Sequence, residues 1–112
     1  MGISTHILDT TRGKPAISMP VSLSRMSNGL WISVHEAITD GDGRCKYLLP
    51  PGELLLPGTY RVHFDTAFYF EQHAEKGLYP YVEIAFVVSD DKQHYHIPLL
   101  LTTNGYTTYR GS

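Results

Sequence analysis

The chain has a single cysteine, a single tryptophan and no strong excess of either charge. One thiol, Cys45, cannot close an intrachain disulfide, so the fold must rest on its own packing, and a disulfide-stapled secreted scaffold is excluded. A reducing compartment suits such a chain, and a cytoplasmic location is the expectation. Nine Lys and Arg against eleven Asp and Glu leave a formal net charge of -2, too little to draw the protein to nucleic acid or to an anionic membrane. No apolar stretch reaches membrane-spanning length and no charged-then-apolar leader is read at the start. The opening MGISTH departs from a myristoylation signal at His6, where Ser or Thr is required. Internal repeats and low-complexity tracts are also missing. What remains, with 42% hydrophobic and 18% charged residues over 112 positions, is one ordinary globular domain, residues 1–112, around one core.

That domain reads as mostly β. About eight short alternating or aromatic-rich runs recur between Gly, Pro, Asn and Asp punctuation. Ile3 to Asp9 alternates Ile3, Thr5 and Ile7 against Ser4, His6 and Leu8. Val21 to Arg25 follows the break at TRGKP, and Leu30 to Ile38 follows the SNG turn, with Leu30, Ile32 and Val34 set against Trp31, Ser33 and His35. The irregular stretch from Thr39 to Tyr60 holds a turn, a short strand over Arg44 to Leu48, and a loop. Tyr60 to Asp65 is again a strand. Thr66 to Lys76 breaks the period, can be capped by Asp65 or Thr66 and is stopped by Gly77, which predicts one short helix. Tyr79 to Asp90 carries an apolar face of Val82, Ile84, Phe86 and Val88. A hairpin closes the chain: His94 to Leu101, a turn at Asn104-Gly105, and Tyr106 to Ser112.

Period two decides which side chains travel together. His94, His96, Pro98 and Leu100 share one face of the penultimate strand, and Tyr95, Ile97, Leu99 and Leu101 the other; Thr108, Arg110 and Ser112 oppose Thr107, Tyr109 and Gly111 on the last. His6 shares the Ser4 and Leu8 face of the first strand. Histidines facing one another from two strands can give and take protons near neutral pH. On spacing alone, His94-x-His96 describes first the exposed polar face of an edge strand, and less readily, with His6, three ligands for zinc with an open position. Arg44, behind Gly43 in a turn, can be simply solvated. His35, His63 and His73 read as surface or packing residues.

Longer stretches carry a resemblance. STHILDTTRGKPA (Ser4 to Ala16), TDGDGRC (Thr39 to Cys45), YRVHFDTAFYF (Tyr60 to Phe70), YPYVEIAFVV (Tyr79 to Val88), HYHIPLLL (His94 to Leu101) and the terminal YRGS resemble, in order and over essentially the whole chain, the transthyretin-related 5-hydroxyisourate hydrolases. The YRGS tetrapeptide is the mark that separates these hydrolases from the hormone carrier transthyretin. The resemblance implies an all-β transthyretin-like sandwich of two four-stranded sheets with one short helix, assembled as a homotetramer, a dimer of dimers, with sites in the channel between dimers. It implies ring opening of 5-hydroxyisourate in urate breakdown, without a cofactor. The family's catalytic positions fall on His6, Arg44, His96 and Ser112, with Thr108, Tyr109, Arg110 and Gly111 joining His6 and Arg44 around the substrate.

Hydrolysis of a cyclic acyl–nitrogen bond needs an activated water, a place for the developing oxyanion and a proton for the leaving nitrogen. His6 and His96 can divide the acid and base roles. Arg44 offers an untitratable planar fork to ring oxygens and acidic nitrogens. His94 is left as support for the pocket or as a metal ligand, and Cys45 has no partner that would make it a nucleophile. Two other classes stay open: a carrier that binds a small ligand in the same channel, and a zinc-dependent hydrolase using His6, His94 and His96.

Overall fold

The computed structural model describes residues 2–111. Two antiparallel-rich sheets face each other. Their strands in chain order are β1 (Gly2–Asp9), β2 (Lys14–Pro15), β3 (Pro20–Ser27), β4 (Leu30–Ile38), β5 (Arg44–Cys45), β6 (Gly58–Phe64), β7 (Val82–Val88), β8 (His94–Leu101) and β9 (Tyr106–Thr108), with one helix, α1 (Thr66–Gln72), between β6 and β7. One sheet runs β2-β1-β8-β9, and β5 also pairs with β1; the other runs β4-β3-β6-β7. The two-residue strands β2 and β5 share the edge of β1 that faces away from β8, β2 against Leu8 and Asp9 and β5 against Thr5 and His6. Each sheet is therefore four strands wide, as the resemblance implies.

Between the sheets lie the alternate residues of each strand. Ile3 and Ile7 from β1, Leu23 from β3, Tyr60, Val62 and Phe64 from β6 and Leu99 from β8 are all fully buried, and the helix adds Tyr69 and Phe70. Burial of each large apolar side chain stabilises the fold by roughly 1.5–3 kcal/mol. Val82 and Val88 close the β7 face while Ile84 and Phe86 pack half-buried against the same cluster.

Several boundaries differ from the sequence reading, each for a local reason. β4 carries an extra residue: Leu23 pairs with His35 but Ser24 with Ser33, so Val34 bulges and the period slips by one. Leu30 and Ile32 are exposed while Val34 and Ala37 pack on the core. The strand expected over Arg44 to Leu48 ends at Cys45, because the chain turns to give the Leu48 and Leu49 amides to the Ile3 carbonyl. The helix stops at Gln72, short of Gly77; Ala74 takes the left-handed conformation (φ 54°), and its amide returns to the Glu71 carbonyl. Residues 79 and 80, expected in a strand, satisfy the helix start instead, with the Tyr79 carbonyl accepting from Thr66 Oγ1 and that of Pro80 from the Ala67 amide. β9 ends at Thr108 because Pro98, which falls opposite Tyr109 in the hairpin register, has no N–H to donate. The same register resumes in a single bridge between His96 and Gly111.

One buried charge-bearing group ties the helix to the sheet. Asp9, at the end of β1, is 1% exposed. It accepts hydrogen bonds from the Tyr69 hydroxyl (2.7 Å) and the Arg12 amide (3.1 Å). Burial, and then this bond to Asp9, push the Tyr69 hydroxyl pKa well above its ordinary value, so the phenol stays a donor. Removing the donor leaves a buried oxygen unsatisfied, at about 1–3 kcal/mol. Tyr69→Phe should therefore lower the urea midpoint by that much stability with an unchanged m-value; an unaltered midpoint would show that the bond contributes nothing.

Candidate active site

The site is built where the first strand meets the penultimate one. β1 and β8 run parallel and in register, Gly2 beside His94, Ser4 beside His96 and His6 beside Pro98. On the shared face the Ser4 hydroxyl, 8% exposed, lies 2.7 Å from His94 Nε2 and 2.7 Å from His96 Nδ1. On the opposite face Thr5 Oγ1 donates to the Ile97 carbonyl at 2.6 Å, bracing the same two strands. His6 stands two residues further along the same face, where it is also the partner of Arg44 on β5.

Arg44 is aimed by the turn before it. Asp40 Oδ1 accepts from the amides of Asp42 (2.9 Å) and Arg44 (3.0 Å), and the Gly43 amide donates to the Asp40 carbonyl at 2.9 Å. Those amides hold the Asp40 pKa below its ordinary value, the Arg44 amide most. Gly43 is in the left-handed region (φ +73°), and a Cβ there would come within 2.5 Å of the Ile7 carbonyl. Only glycine lets this turn lie so close to β1.

The imidazole of His96 is held by two of its corners. Nδ1 faces Ser4, and the Cδ2 edge lies so near Gly111 that a Cβ there would be 2.5 Å away. The Gly111 amide also donates to the His96 carbonyl at 2.8 Å. Among the described residues Nε2 is the ring nitrogen left without a hydrogen-bond partner. Burial lowers the His96 pKa, and Arg44, then His6 and His94, lower it further by opposing a positive charge. Burial also lowers that of His94. Both rings are thus neutral at pH 7, where a ring nitrogen can act as a base.

These residues line an open depression of about 540 Å³, bordered by Ser4, Thr5, Arg44, Lys46, Tyr47, His94 and His96. Among the described residues no carboxylate borders it. Its side chains are cations, imidazoles and hydroxyls, which suits a planar ligand rich in carbonyl oxygens or acidic nitrogens. Cys45 is no nucleophile here: burial, and then Asp40, push its thiol up to about 11.

The sequence-predicted residues divide in two. Arg44, His94 and His96 line the depression, and His6 is near enough to weigh on His96, although it is not in the lining. Gly111 touches His96. Thr108, Tyr109 and Arg110 border a different groove, of about 280 Å³, between β7 and the β8–β9 hairpin. There Thr108 Oγ1 donates to the Pro98 carbonyl and the Arg110 guanidinium lies over the Tyr95 ring. Ser112 is outside the described residues. Among the described residues no three His, Cys, Asp or Glu side chains are grouped to hold a metal ion; His94 and His96 turn their nitrogens onto Ser4. Sequence reasoning missed Ser4, Lys46 and Tyr47 at the site. The face that Ser4 shares with His6 was legible, but its pairing with His96 depends on register, which period two does not contain.

Comparison with known proteins bears on the family and the fold. A family model described as the HIUase/Transthyretin family matches residues 3–111. A mouse 5-hydroxyisourate hydrolase is 42% identical, over 98% of this chain and 94% of that protein. The solved structure of 5-hydroxyisourate hydrolase from Klebsiella pneumoniae superposes with a TM-score of 0.85 at 33% identity, covering 100% of both chains. Sea bream transthyretin, solved in complex with thyroxine, superposes with a TM-score of 0.91 at 28% identity, covering 99% of this chain and 95% of that one. With the sandwich, the residues matched and the identity over nearly the full length, the chain belongs to the HIUase/Transthyretin family.

Proposed function

We propose that the chain hydrolyses 5-hydroxyisourate, the substrate named for its mouse and Klebsiella relatives, to 2-oxo-4-hydroxy-4-carboxy-5-ureidoimidazoline in urate degradation. The observation that carries this reading is the neutral imidazole of His96, with Nε2 uncommitted among the described residues, in a depression that those residues border with Arg44 and Lys46 and with no carboxylate. In the mechanism we infer, His96 Nε2 takes a proton from water as its oxygen attacks the ring carbonyl carbon. Arg44 stabilises the oxyanion that forms. Collapse breaks the acyl–nitrogen bond, and His6 gives a proton to the departing nitrogen. The products are a carboxylate and a ureido nitrogen, and no cofactor is consumed.

Ser112 completes the substrate enclosure in this proposal, with Thr108, Tyr109 and Arg110, which border the other groove of their own chain, contributed by a neighbouring subunit. The site's openness in one chain, and the two unpaired sheet edges β7 and β9 beside one groove, favour completion between subunits of a homotetramer, a dimer of dimers. No helix among the described residues is long and apolar enough to cross a membrane. A cytoplasmic setting belongs to the same reading, supported by the one free, buried cysteine.

The direct experiment follows freshly made 5-hydroxyisourate by absorbance with and without protein. Decay well above the spontaneous rate is expected with no added cofactor, and His6→Ala, His96→Ala and Arg44→Lys should each cut kcat by about a hundredfold or more. Unchanged decay with the wild-type protein would remove the hydrolase reading and leave ligand carriage.

The pH profile tests the electrostatics. The base form of His96 is the active one, and its depressed pKa preserves that form to lower pH. The acid limb of kcat/KM should therefore lie below 6.5, the ordinary histidine value. Removing a nearby cation with Arg44→Gln should move the limb upward, even as it lowers the plateau. A limb at or above 6.5 in the wild type would contradict the assignment.

Gly111→Ala is the steric test. The new Cβ must displace the His96 ring, and a misplacement of about 1 Å costs on the order of a hundredfold in rate. Wild-type kcat in this variant would show that the ring's seat against Gly111 is immaterial.

A further inference from the structure

The Ser4 hydroxyl has one proton and two ring nitrogens to satisfy. It touches His94 Nε2 and His96 Nδ1 at 2.7 Å each, and among the described residues it has no other hydrogen-bond partner. A hydroxyl can donate only once, but it can accept twice. It therefore cannot treat both neutral rings alike as acceptors. Whichever nitrogen receives the Ser4 proton is bare, and the other, if it bonds at all, must be an N–H that donates to Oγ.

We propose that Ser4 is a positioning residue for the reaction: it gives its proton to His94 Nε2 and accepts the Nδ1–H of His96, fixing His96 in the tautomer whose Nε2 is bare. This rests on the hydrolase reading above, in which Nε2 is the base. The direction follows from the two rings' surroundings. His96 has its Nδ1 on Ser4 and its Cδ2 edge on Gly111, so the tautomer decides what its remaining nitrogen can do. An Nε2–H ring there could only donate, and could not remove a proton from water. His94 is exposed, so the Nδ1–H that this arrangement leaves on it can be met by solvent. Its Nδ1 lies over Gly2, where an added Cβ would be 3.2 Å away, and among the described residues no hydrogen-bond acceptor meets it there.

The arrangement gives each residue of the His-x-His pair a distinct part. His96 presents the reacting nitrogen. His94 is the acceptor that orients the Ser4 proton away from His96. A serine between two imidazoles thereby does what a carboxylate does behind a catalytic histidine, fixing ring and tautomer, but without a negative charge. A carboxylate there would raise the His96 pKa and oppose the anion-seeking character given by Arg44 and Lys46.

The test combines kinetics with 15N spectroscopy of the histidine rings in the unliganded full chain. In the wild type above the histidine titration range, His96 should show a protonated Nδ1 and a bare Nε2. Ser4→Ala should shift that ring toward Nε2–H and lower kcat on the order of tenfold or more, within the roughly 10²–10⁴ a general base supplies, with KM nearly unchanged. Ser4→Thr, which keeps the hydroxyl, should recover most of kcat, and His94→Leu should produce the same tautomer shift as Ser4→Ala. A wild-type His96 carrying its proton on Nε2 would overturn the proposal whether or not Ser4→Ala folds, and so would a folded Ser4→Ala with wild-type kcat. Because the spectra need no substrate, they separate failure of this proposal from failure of the hydrolase reading.

Discussion

Eight successive pairs, Gly2 with His94 through Asp9 with Leu101, hold β1 parallel to β8, and the geometry of the site depends on that register. It sets a residue near the chain's start beside residues near its end, so Ser4 and His96 meet although 92 positions apart. A slip of one residue would turn Ser4 and His6 to the core and Thr5 and Ile7 outward. The alternation forbids that slip: Ile3 and Ile7 are fully buried, and Thr5 spends its hydroxyl on the Ile97 carbonyl. Packing of the core thus fixes the chemistry on the other face. The Asp9–Tyr69 bond at the end of the same strand extends this control to the helix.

A cationic pocket around a neutral base has an electrostatic consequence for the whole protein. Burial and the neighbouring Arg44 hold His96 below its ordinary pKa, so the unfolded chain binds protons that the folded one resists. The sign follows from linkage: stability is undiminished above the unfolded value near 6.5 and is lost as pH falls toward and through the lower folded value. His94 acts in the same sense. The fold therefore loses stability on acidification because the half-buried His96 and the partly desolvated His94 must charge, and under the proposed mechanism the site fails in the same direction because its base is filled.

Much of this was legible from residue order. The faces carrying His6, His94 and His96 follow from period two, and the short helix from its cap, Asp65, whose carboxylate does accept the Phe68 amide. Non-local facts were not legible. The bulge at Val34 spoils a clean alternation because an edge strand tolerates an extra residue. Pro98 interrupts the last strand only because the hairpin register brings it opposite Tyr109. Ser4 is unremarkable in sequence and gains its place only through β1–β8 pairing. The resemblance located Arg44, but the reason it points at the pocket lies in the Asp40 carboxylate and in the space that Gly43 leaves beside Ile7.

His96, the base of the proposed mechanism, is kept neutral by burial and by the positive groups around it. Its own titration in the unliganded protein, followed by NMR of the ring, measures this without reference to turnover. The ring is predicted to titrate below 6.5 and to move upward when Arg44 is replaced by an uncharged residue. A His96 that titrates at or above 6.5, or that ignores Arg44, would contradict it.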